Sequence, residues 1–202
     1  LHVPPDLADL FRRLAGNPHV VPLGHSPPPI DFHIPMMSLP LAFNTTLKTI
    51  PANVPYLSAA QTTAAQWSAR LATDGVGFRV GLAWAGRRTH AEDHARSIDP
   101  QAFAALSDIS GALFYSLQKS DPGRAHGHPP ANLRLIDHTD RLFNFADTAA
   151  VIANLDLVIT VDTAIAHLAG AMGKAVWLML PFVPDFRWML ERSDSPWYPS
   201  MR

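Results

Sequence analysis

The residues that follow the apolar run at 157–161 have the clearest potential for chemistry. Asp162 and Thr163 come directly after this run, and His167 and Gly170 follow at helical spacing. In a helix that begins at Thr163, residues Thr163, His167 and Gly170 lie on one face. The first turn of such a helix offers free backbone N–H groups at its positive end, which suits a diphosphate. We therefore predict that Asp162, Thr163 and His167 border an anion site. The alternative is that Asp162 only caps the helix and His167 is an ordinary surface histidine.

A second group of candidates lies in the segment after the apolar run that ends near Trp84. It contains Arg87, Arg88 and Arg96, followed by Ser97. Guanidinium groups bind oxyanions through two parallel hydrogen bonds, so this segment suits a phosphate clamp. A solvated surface loop is the alternative interpretation.

Gln118 and Lys119 form the third group, at the end of the apolar run 112–117. The lysine is suited to neutralising a phosphate, and the glutamine to hydrogen-bonding a base or a ribose. The alternative is that the lysine is simply exposed. We include these two residues mainly because the other two groups are also predicted to bind phosphate.

These candidates need a scaffold that brings the ends of several strands together. Predicted strands that are mostly apolar, without regular alternation, occur at 78–85, 112–117, 133–136, 157–161 and 175–180, and predicted helices begin at 99 and span 147–155 and 163–172. Strands of this kind are buried on both faces. Their alternation with helices predicts an α/β fold with a doubly wound, mainly parallel sheet of five strands and helices on both faces. Ligands of such sheets bind beyond the carboxyl ends of the strands, where all three groups lie.

The composition of the 202-residue chain excludes several classes of protein and of site. It has no cysteine and a formal net charge of −1. The first property excludes disulfide scaffolds and thiolate metal sites, and the second gives no electrostatic basis for a nucleic-acid partner. The sequence has no apolar run of the roughly 20 residues that a transmembrane segment needs, and no signal-peptide pattern, so we predict a cytoplasmic protein. His126 and His128, with His138, lack supporting carboxylates, and we predict no metal site.

The amino-terminal part is organised differently. It is rich in proline, with a predicted helix at 5–15 and a short predicted strand at 19–23. The stretch 30–57 is irregular, turn-rich and apolar at once. We expect it to be a loop packed against a core that is mostly absent from this chain, because long structureless loops are uncommon inside a self-contained domain.

Five sequence segments, in this order, resemble a known family. They are Asp-Phe-His-Ile-Pro-Met-Met-Ser-Leu-Pro (31–40), Ile-Pro-Ala-Asn-Val-Pro-Tyr-Leu (50–57), Val-Gly-Leu-Ala-Trp-Ala-Gly (80–86), Val-Asp-Thr-Ala-Ile-Ala-His-Leu-Ala-Gly (161–170) and Asp-Ser-Pro-Trp-Tyr-Pro (194–199). The chain resembles the glycosyltransferase module that follows tetratricopeptide repeats in many bacterial proteins. That module is related to the heptosyltransferases of glycosyltransferase family 9, which have the two-lobed GT-B fold.

The resemblance implies transfer of a sugar from a nucleotide-diphosphate donor to an acceptor hydroxyl on a protein or a glycan, with no cofactor and no obligatory metal. It implies that residues 71–202 form the nucleotide-sugar-binding lobe with a carboxyl-terminal tail. Residues 1–70 would then be a partial acceptor-side lobe and linker. By resemblance, Asp162, Thr163 and His167 border the donor, assisted by the segment 87–97 and Lys119.

The family places its catalytic carboxylate in a segment that would precede Leu1, so the resemblance gives no residue of this chain that role. We expect the chain to be a fragment that is inactive alone. A non-catalytic binding module of the same fold, beside a repeat domain, is the alternative. A Rossmann-type oxidoreductase is a weaker one, because the sequence lacks the glycine fingerprint of dinucleotide sites.

Overall fold

A five-stranded parallel sheet forms the centre of the computed structural model, which describes residues 1–86, 93–119 and 127–202. The strands are β1 (His2–Val3), β2 (Val21–Pro22), β3 (Phe78–Ala83), β4 (Ala112–Ser116), β5 (Leu135–Ile136), β6 (Leu157–Val161) and β7 (Val176–Met179). The α-helices are α1 (Pro5–Phe11), α2 (Leu39–Ala42), α3 (Gln61–Ala72), α4 (Asp93–Arg96), α5 (Phe145–Ala153) and α6 (Ala164–Ala171). Short 3-10 helices span Met36–Ser38, Pro100–Leu106 and Thr139–Arg141.

The predicted sheet is confirmed. Its spatial order is β5-β4-β3-β6-β7, and every neighbouring pair is parallel. The chain starts the sheet at β3, builds outward through β4 and β5, and then returns to the other side of β3 for β6 and β7. The order therefore reverses between β3 and β6, and a crevice at such a switch point is where open α/β sheets bind ligands.

Both faces of the sheet are covered, by different kinds of element. One face packs against α3, α5 and α6, and all five residues of β6 are buried. The other face packs against the 3-10 helix Pro100–Leu106 through Phe103. The prediction of helices on both faces therefore needs one correction, because this helix has 3-10 and not α geometry. Its start is as predicted, with Pro100 in the first turn and the Asp99 carboxylate accepting a hydrogen bond from the Gln101 N–H at 2.9 Å.

The amino-terminal part is small and attached to the large sheet. β1 and β2 form a separate two-stranded parallel sheet, and α1 packs against α5. The predicted helix at 5–15 ends earlier, at Phe11, and the predicted strand at 19–23 shortens to β2. The predicted boundary between residues 70 and 71 falls within α3, which packs against α5 of the large sheet. The division into two domains stays a prediction.

The stretch 30–57 is irregular, apart from α2 and the 3-10 helix before it. No residue from 22 to 56 is buried. The stretch exposes a set of large apolar side chains, namely Ile30, Phe32, Ile34, Met36, Met37, Leu41, Phe43 and Leu47. At its end, the N–H groups of Tyr56 and Leu57 both donate to the carbonyl of Ala171, which fixes the stretch to the last turn of α6.

Candidate functional site

A cleft of about 820 Å³ opens beyond the carboxyl ends of β3, β4 and β6, beside the switch point of the sheet. The first turns of α5 and α6 enter it from the large sheet, and the start of α1 borders it from the small one. The polar and charged residues of its lining are Asp6, Arg96, Gln118, Lys119, Asn144, Thr148 and Thr163. The cleft lies where the fold class predicts a ligand.

The amino terminus of α6 opens into this cleft. Thr163 is the N-cap, and its hydroxyl accepts a hydrogen bond from the Ile165 N–H at 3.3 Å. The Ala164 N–H, which comes first in the helix, has no hydrogen-bond partner among the residues that the structure describes. Thr163, Ala164 and Ile165 all line the cleft. The positive end of the helix therefore presents a free N–H group to whatever the cleft holds.

Arg96 is held in place at the edge of the cleft. Its Nη1 donates to the carbonyl of Asp162 at 3.1 Å, and its Nε lies 3.3 Å from a carboxylate oxygen of the buried Asp93. Gly86 allows this arrangement, because a Cβ at position 86 would lie 2.5 Å from the guanidinium of Arg96. The Ser97 hydroxyl accepts a hydrogen bond from the Gly86 N–H at 3.1 Å. Arg96 thus reaches the cleft with its charge already paired to a carboxylate.

Gln118 is oriented by two backbone groups. Its Oε1 accepts hydrogen bonds from the N–H groups of Trp84 at 3.0 Å and Ala85 at 2.9 Å. These contacts settle which end of the amide is oxygen, because only the oxygen can accept. The Nε2 group makes no hydrogen bond to any described residue, although the side chain is only 9% exposed and lines the cleft. Gln118 therefore offers two unused N–H donors to a ligand.

Lys119 enters the cleft as a cation without a counterion. Its Nζ donates to the carbonyl of Leu142 at 2.6 Å, and no carboxylate in the described part of the chain pairs with it. A carbonyl orients an ammonium group but leaves its charge uncompensated. An anionic ligand would complete this environment.

The start of α5 is a capping box that the sequence analysis did not identify. Asn144 Oδ1 accepts from the N–H groups of Ala146 and Asp147, and Asp147 Oδ2 accepts from the N–H of Asn144 at 3.3 Å. The helix therefore begins at Phe145 and not at 147. The pattern of Asn followed three residues later by Asp is the signal that would have predicted this start. Asn144 lines the cleft, so this shift brings a polar residue into the site.

His167 does not line the cleft and belongs to an aromatic cluster with Trp188 and Tyr198. Its ring stacks on Trp188, with the ring centroids 5.2 Å apart, and its Nδ1 lies 3.0 Å from the Tyr198 hydroxyl. Its Nε2 lies 3.8 Å from a carboxylate oxygen of Asp162. Burial lowers the pKa of His167 below its usual 6.5, while the carboxylate of Asp162 acts in the opposite direction.

The structure therefore brings together some of the sequence-predicted residues and separates others. Arg96, Gln118, Lys119 and Thr163 line the cleft, and Ser97 supports its edge. Asp162 and His167 stand next to it, in contact with Arg96 and with the aromatic cluster respectively, and do not line it. Arg87 and Arg88 lie outside the described residues. Binding of a nucleotide by any of these residues stays a prediction.

Comparisons with known proteins point to one class of enzyme. A family model described as glycosyltransferase family 9 (heptosyltransferase) matches residues 142–177, which span α5, β6, α6 and the first residues of β7. Protein FlbA of Caulobacter vibrioides is 29% identical over 162 residues. That alignment covers 78% of this chain and 27% of FlbA, so the chain spans about a quarter of this relative. No solved structure matches the chain significantly. The family match supports a glycosyltransferase in general.

Two further observations concern membranes and metals. Within residues 1–86, 93–119 and 127–202, every helix is too short or too polar to cross a bilayer. The same residues contain no cluster of three or more side chains suited to holding a metal ion. Of the histidines weighed for a metal site, His128 and His138 are described, and His138 Nε2 lies 3.0 Å from a carboxylate oxygen of Asp74.

Proposed function

We propose that this chain is the donor-binding part of a glycosyltransferase and that the cleft holds the diphosphate of a nucleotide sugar. The acceptor would carry a hydroxyl group, on a protein or on a glycan. The proposal rests on one observation: a free backbone N–H group and a cation without a counterion are at the same cleft. The Ala164 N–H at the positive end of α6 and the uncompensated ammonium of Lys119 both favour an anion.

The arrangement suits glycosyl transfer because the leaving diphosphate gains negative charge as the bond to the sugar breaks. Hydrogen-bond donors and cations fixed before the reaction stabilise that charge without reorganising. Lys119, the Ala164 N–H and Arg96 would act on the phosphates. The free Nε2 of Gln118 would donate to an oxygen of the nucleotide, and this contact would help to position it. In this mechanism protein cations perform the neutralisation, with no obligatory metal.

Calorimetric titration of the chain with UDP, GDP, ADP and CDP tests the proposal, with the matching nucleosides as controls. We expect at least one diphosphate to bind, and to bind at least tenfold more tightly than its nucleoside. A hydrogen bond to a charged group contributes about 1.5–3 kcal/mol, which corresponds to roughly 10- to 150-fold in affinity. Failure of all four diphosphates to bind would contradict the proposal and favour a module that binds some other partner. Association with tetratricopeptide repeats and a cytoplasmic location remain further parts of the proposal.

A further inference from the structure

The cleft contains a carboxylate that neither the sequence motifs nor the proposed donor site uses. Asp6 lies in the first turn of α1 and lines the same cleft as Lys119. It is exposed, and it makes no hydrogen bond or ion pair with any residue that the structure describes. Asp9, one turn further along α1, forms an ion pair with Arg12 and does not line the cleft.

Asp6 and Lys119 are thus unpaired groups of opposite charge that face one cleft without forming an ion pair. They belong to different parts of the chain, Asp6 to α1 of the small amino-terminal part and Lys119 to the segment after β4 of the large sheet. The walls near them are apolar, with Leu7, Phe143 and Phe145. Because the two charges form no ion pair, the cleft suits a ligand that is anionic where it meets Lys119 and not anionic where it meets Asp6.

We propose that Asp6 selects the chemical group that enters opposite the diphosphate, by repelling anions and accepting a hydrogen bond from a neutral hydroxyl or a cationic group. This inference rests on the proposed function, since the diphosphate defines the other end of the cleft. A carboxylate can only accept hydrogen bonds at neutral pH, so a hydroxyl donor suits it and a second phosphate does not. Asp6 is therefore a specificity residue for the acceptor.

The same charge has a consequence for product release. A nucleotide sugar carries one negative charge on each phosphate, and the nucleoside diphosphate left after transfer carries an additional charge on its terminal phosphate. A nearby carboxylate therefore destabilises the bound product more than the bound donor. Asp6 would favour release of the diphosphate once the sugar has been transferred.

The test compares Asp6→Asn with Asp9→Asn, which makes the same charge change on the same helix but outside the cleft. Each variant and the wild-type chain are titrated with UDP, GDP, ADP and CDP, and with the nucleotide glucose that matches the diphosphate which binds. Titrations are run at about 20 mM and about 500 mM salt, because screening weakens charge effects at the higher concentration. Asp6→Glu keeps the charge and serves as a second control.

We expect Asp6→Asn to bind the diphosphate about three- to tenfold more tightly than wild type at low salt, given the strength of a charge pair across a solvated cleft. The gain should be smaller for the nucleotide glucose and should largely disappear at high salt. Asp9→Asn and Asp6→Glu should match wild type. An equal gain from Asp6→Asn and Asp9→Asn, or no gain from either, would overturn the role of Asp6 while leaving the proposed function intact. Absence of diphosphate binding in the wild-type chain would overturn both.

Discussion

His167 Nδ1 lies 3.0 Å from the hydroxyl of Tyr198, and this contact joins α6 to the carboxyl-terminal tail. Tyr198 also lies directly over Gly170, where a Cβ would come within 2.5 Å of the tyrosine ring. The residues on the α6 face with Thr163, His167 and Gly170 therefore have two different roles. The first of them borders the cleft, and the next two hold the tail.

His167→Ala should lower the free energy of unfolding by about 1–3 kcal/mol, because it removes a hydrogen bond and a stacked ring from its contacts with the buried Trp188 and Tyr198. Urea denaturation measures this loss. Tyr198→Phe, which removes only the hydroxyl, should reproduce part of it, and the double variant should show less than the sum of the two losses. Because His167 does not line the cleft, diphosphate affinity should stay within about threefold of wild type. A loss of affinity of the size of a charged hydrogen bond, roughly tenfold or more, would instead place the ring on the ligand.

The lowered pKa of His167 gives the stability a dependence on pH. Burial keeps the ring neutral in the folded chain, whereas in the unfolded chain it binds a proton below about 6.5. Below about pH 6.5 the unfolded state therefore holds more protons than the folded state. The stabilisation from the neutral His167 ring is complete above about pH 6.5, and it is lost as the pH falls toward and through the lowered pKa of the folded chain. The free energy of unfolding, measured by urea denaturation, should fall between pH 7.5 and pH 5.5. The fall should be smaller in His167→Ala than in the wild-type chain. An equal drop in both proteins would assign the effect to other groups.

Most of the central sheet was predictable because its inner strands β3, β4 and β6 are largely buried. β6 spans Leu157–Val161 in the structure, as predicted. β3, β4 and β7 are shorter than predicted by one or two residues. Such mostly apolar runs are typical of strands in a buried parallel sheet. By contrast, α3 was missed. It has only two large apolar residues, Trp67 and Leu71, and these are its buried residues.

The location of the cleft was predictable from the sequence, but only some of the residues that line it were. Sequence spacing identified the strand ends that meet at the cleft, since parallel strands end at one edge. It could not show that the ring of His167 turns toward Trp188, because that contact joins residues far apart in the chain. It also did not predict that Asp6, from the small amino-terminal part, lines the same cleft as residues of the large sheet. Tertiary packing alone sets both placements.

Substitutions at Gln118 can separate the proposed binding role of its Nε2 group from the structural role of its oxygen. Gln118→Glu keeps an oxygen that accepts from the N–H groups of Trp84 and Ala85, but it replaces the free donor by an acceptor. We expect stability close to wild type and diphosphate affinity reduced about tenfold or more, by calorimetry.

Gln118→Ala is the matched variant, because it removes the oxygen as well and leaves two N–H groups without their partner. It should lower the free energy of unfolding by more than about 1 kcal/mol. If Gln118→Glu bound the diphosphate as tightly as wild type, the Nε2 group would have no part in recognition.

Two lysines whose ammonium groups both donate to backbone carbonyls provide the sharpest test of the proposed diphosphate site. Lys119 Nζ donates to the carbonyl of Leu142 inside the cleft, whereas Lys174 Nζ donates to the carbonyls of Ala153 at 2.7 Å and Leu155 at 2.9 Å, at the end of α5. Lys174 thus caps the carboxyl end of a helix, and it does not line the cleft. Lys119→Ala should weaken diphosphate binding about tenfold or more and leave the unfolding free energy within about 1 kcal/mol of wild type.

Lys174→Ala should show the opposite pair of results. Loss of two hydrogen bonds from an ammonium group should lower the free energy of unfolding by about 1–3 kcal/mol, while diphosphate affinity stays unchanged. Both variants lose the same formal charge, so any effect of net charge alone would be equal in the two. Calorimetry and urea denaturation on both proteins therefore distinguish a placed phosphate contact from a diffuse electrostatic one. Equal losses of diphosphate affinity would mean that the cleft does not hold the diphosphate at Lys119.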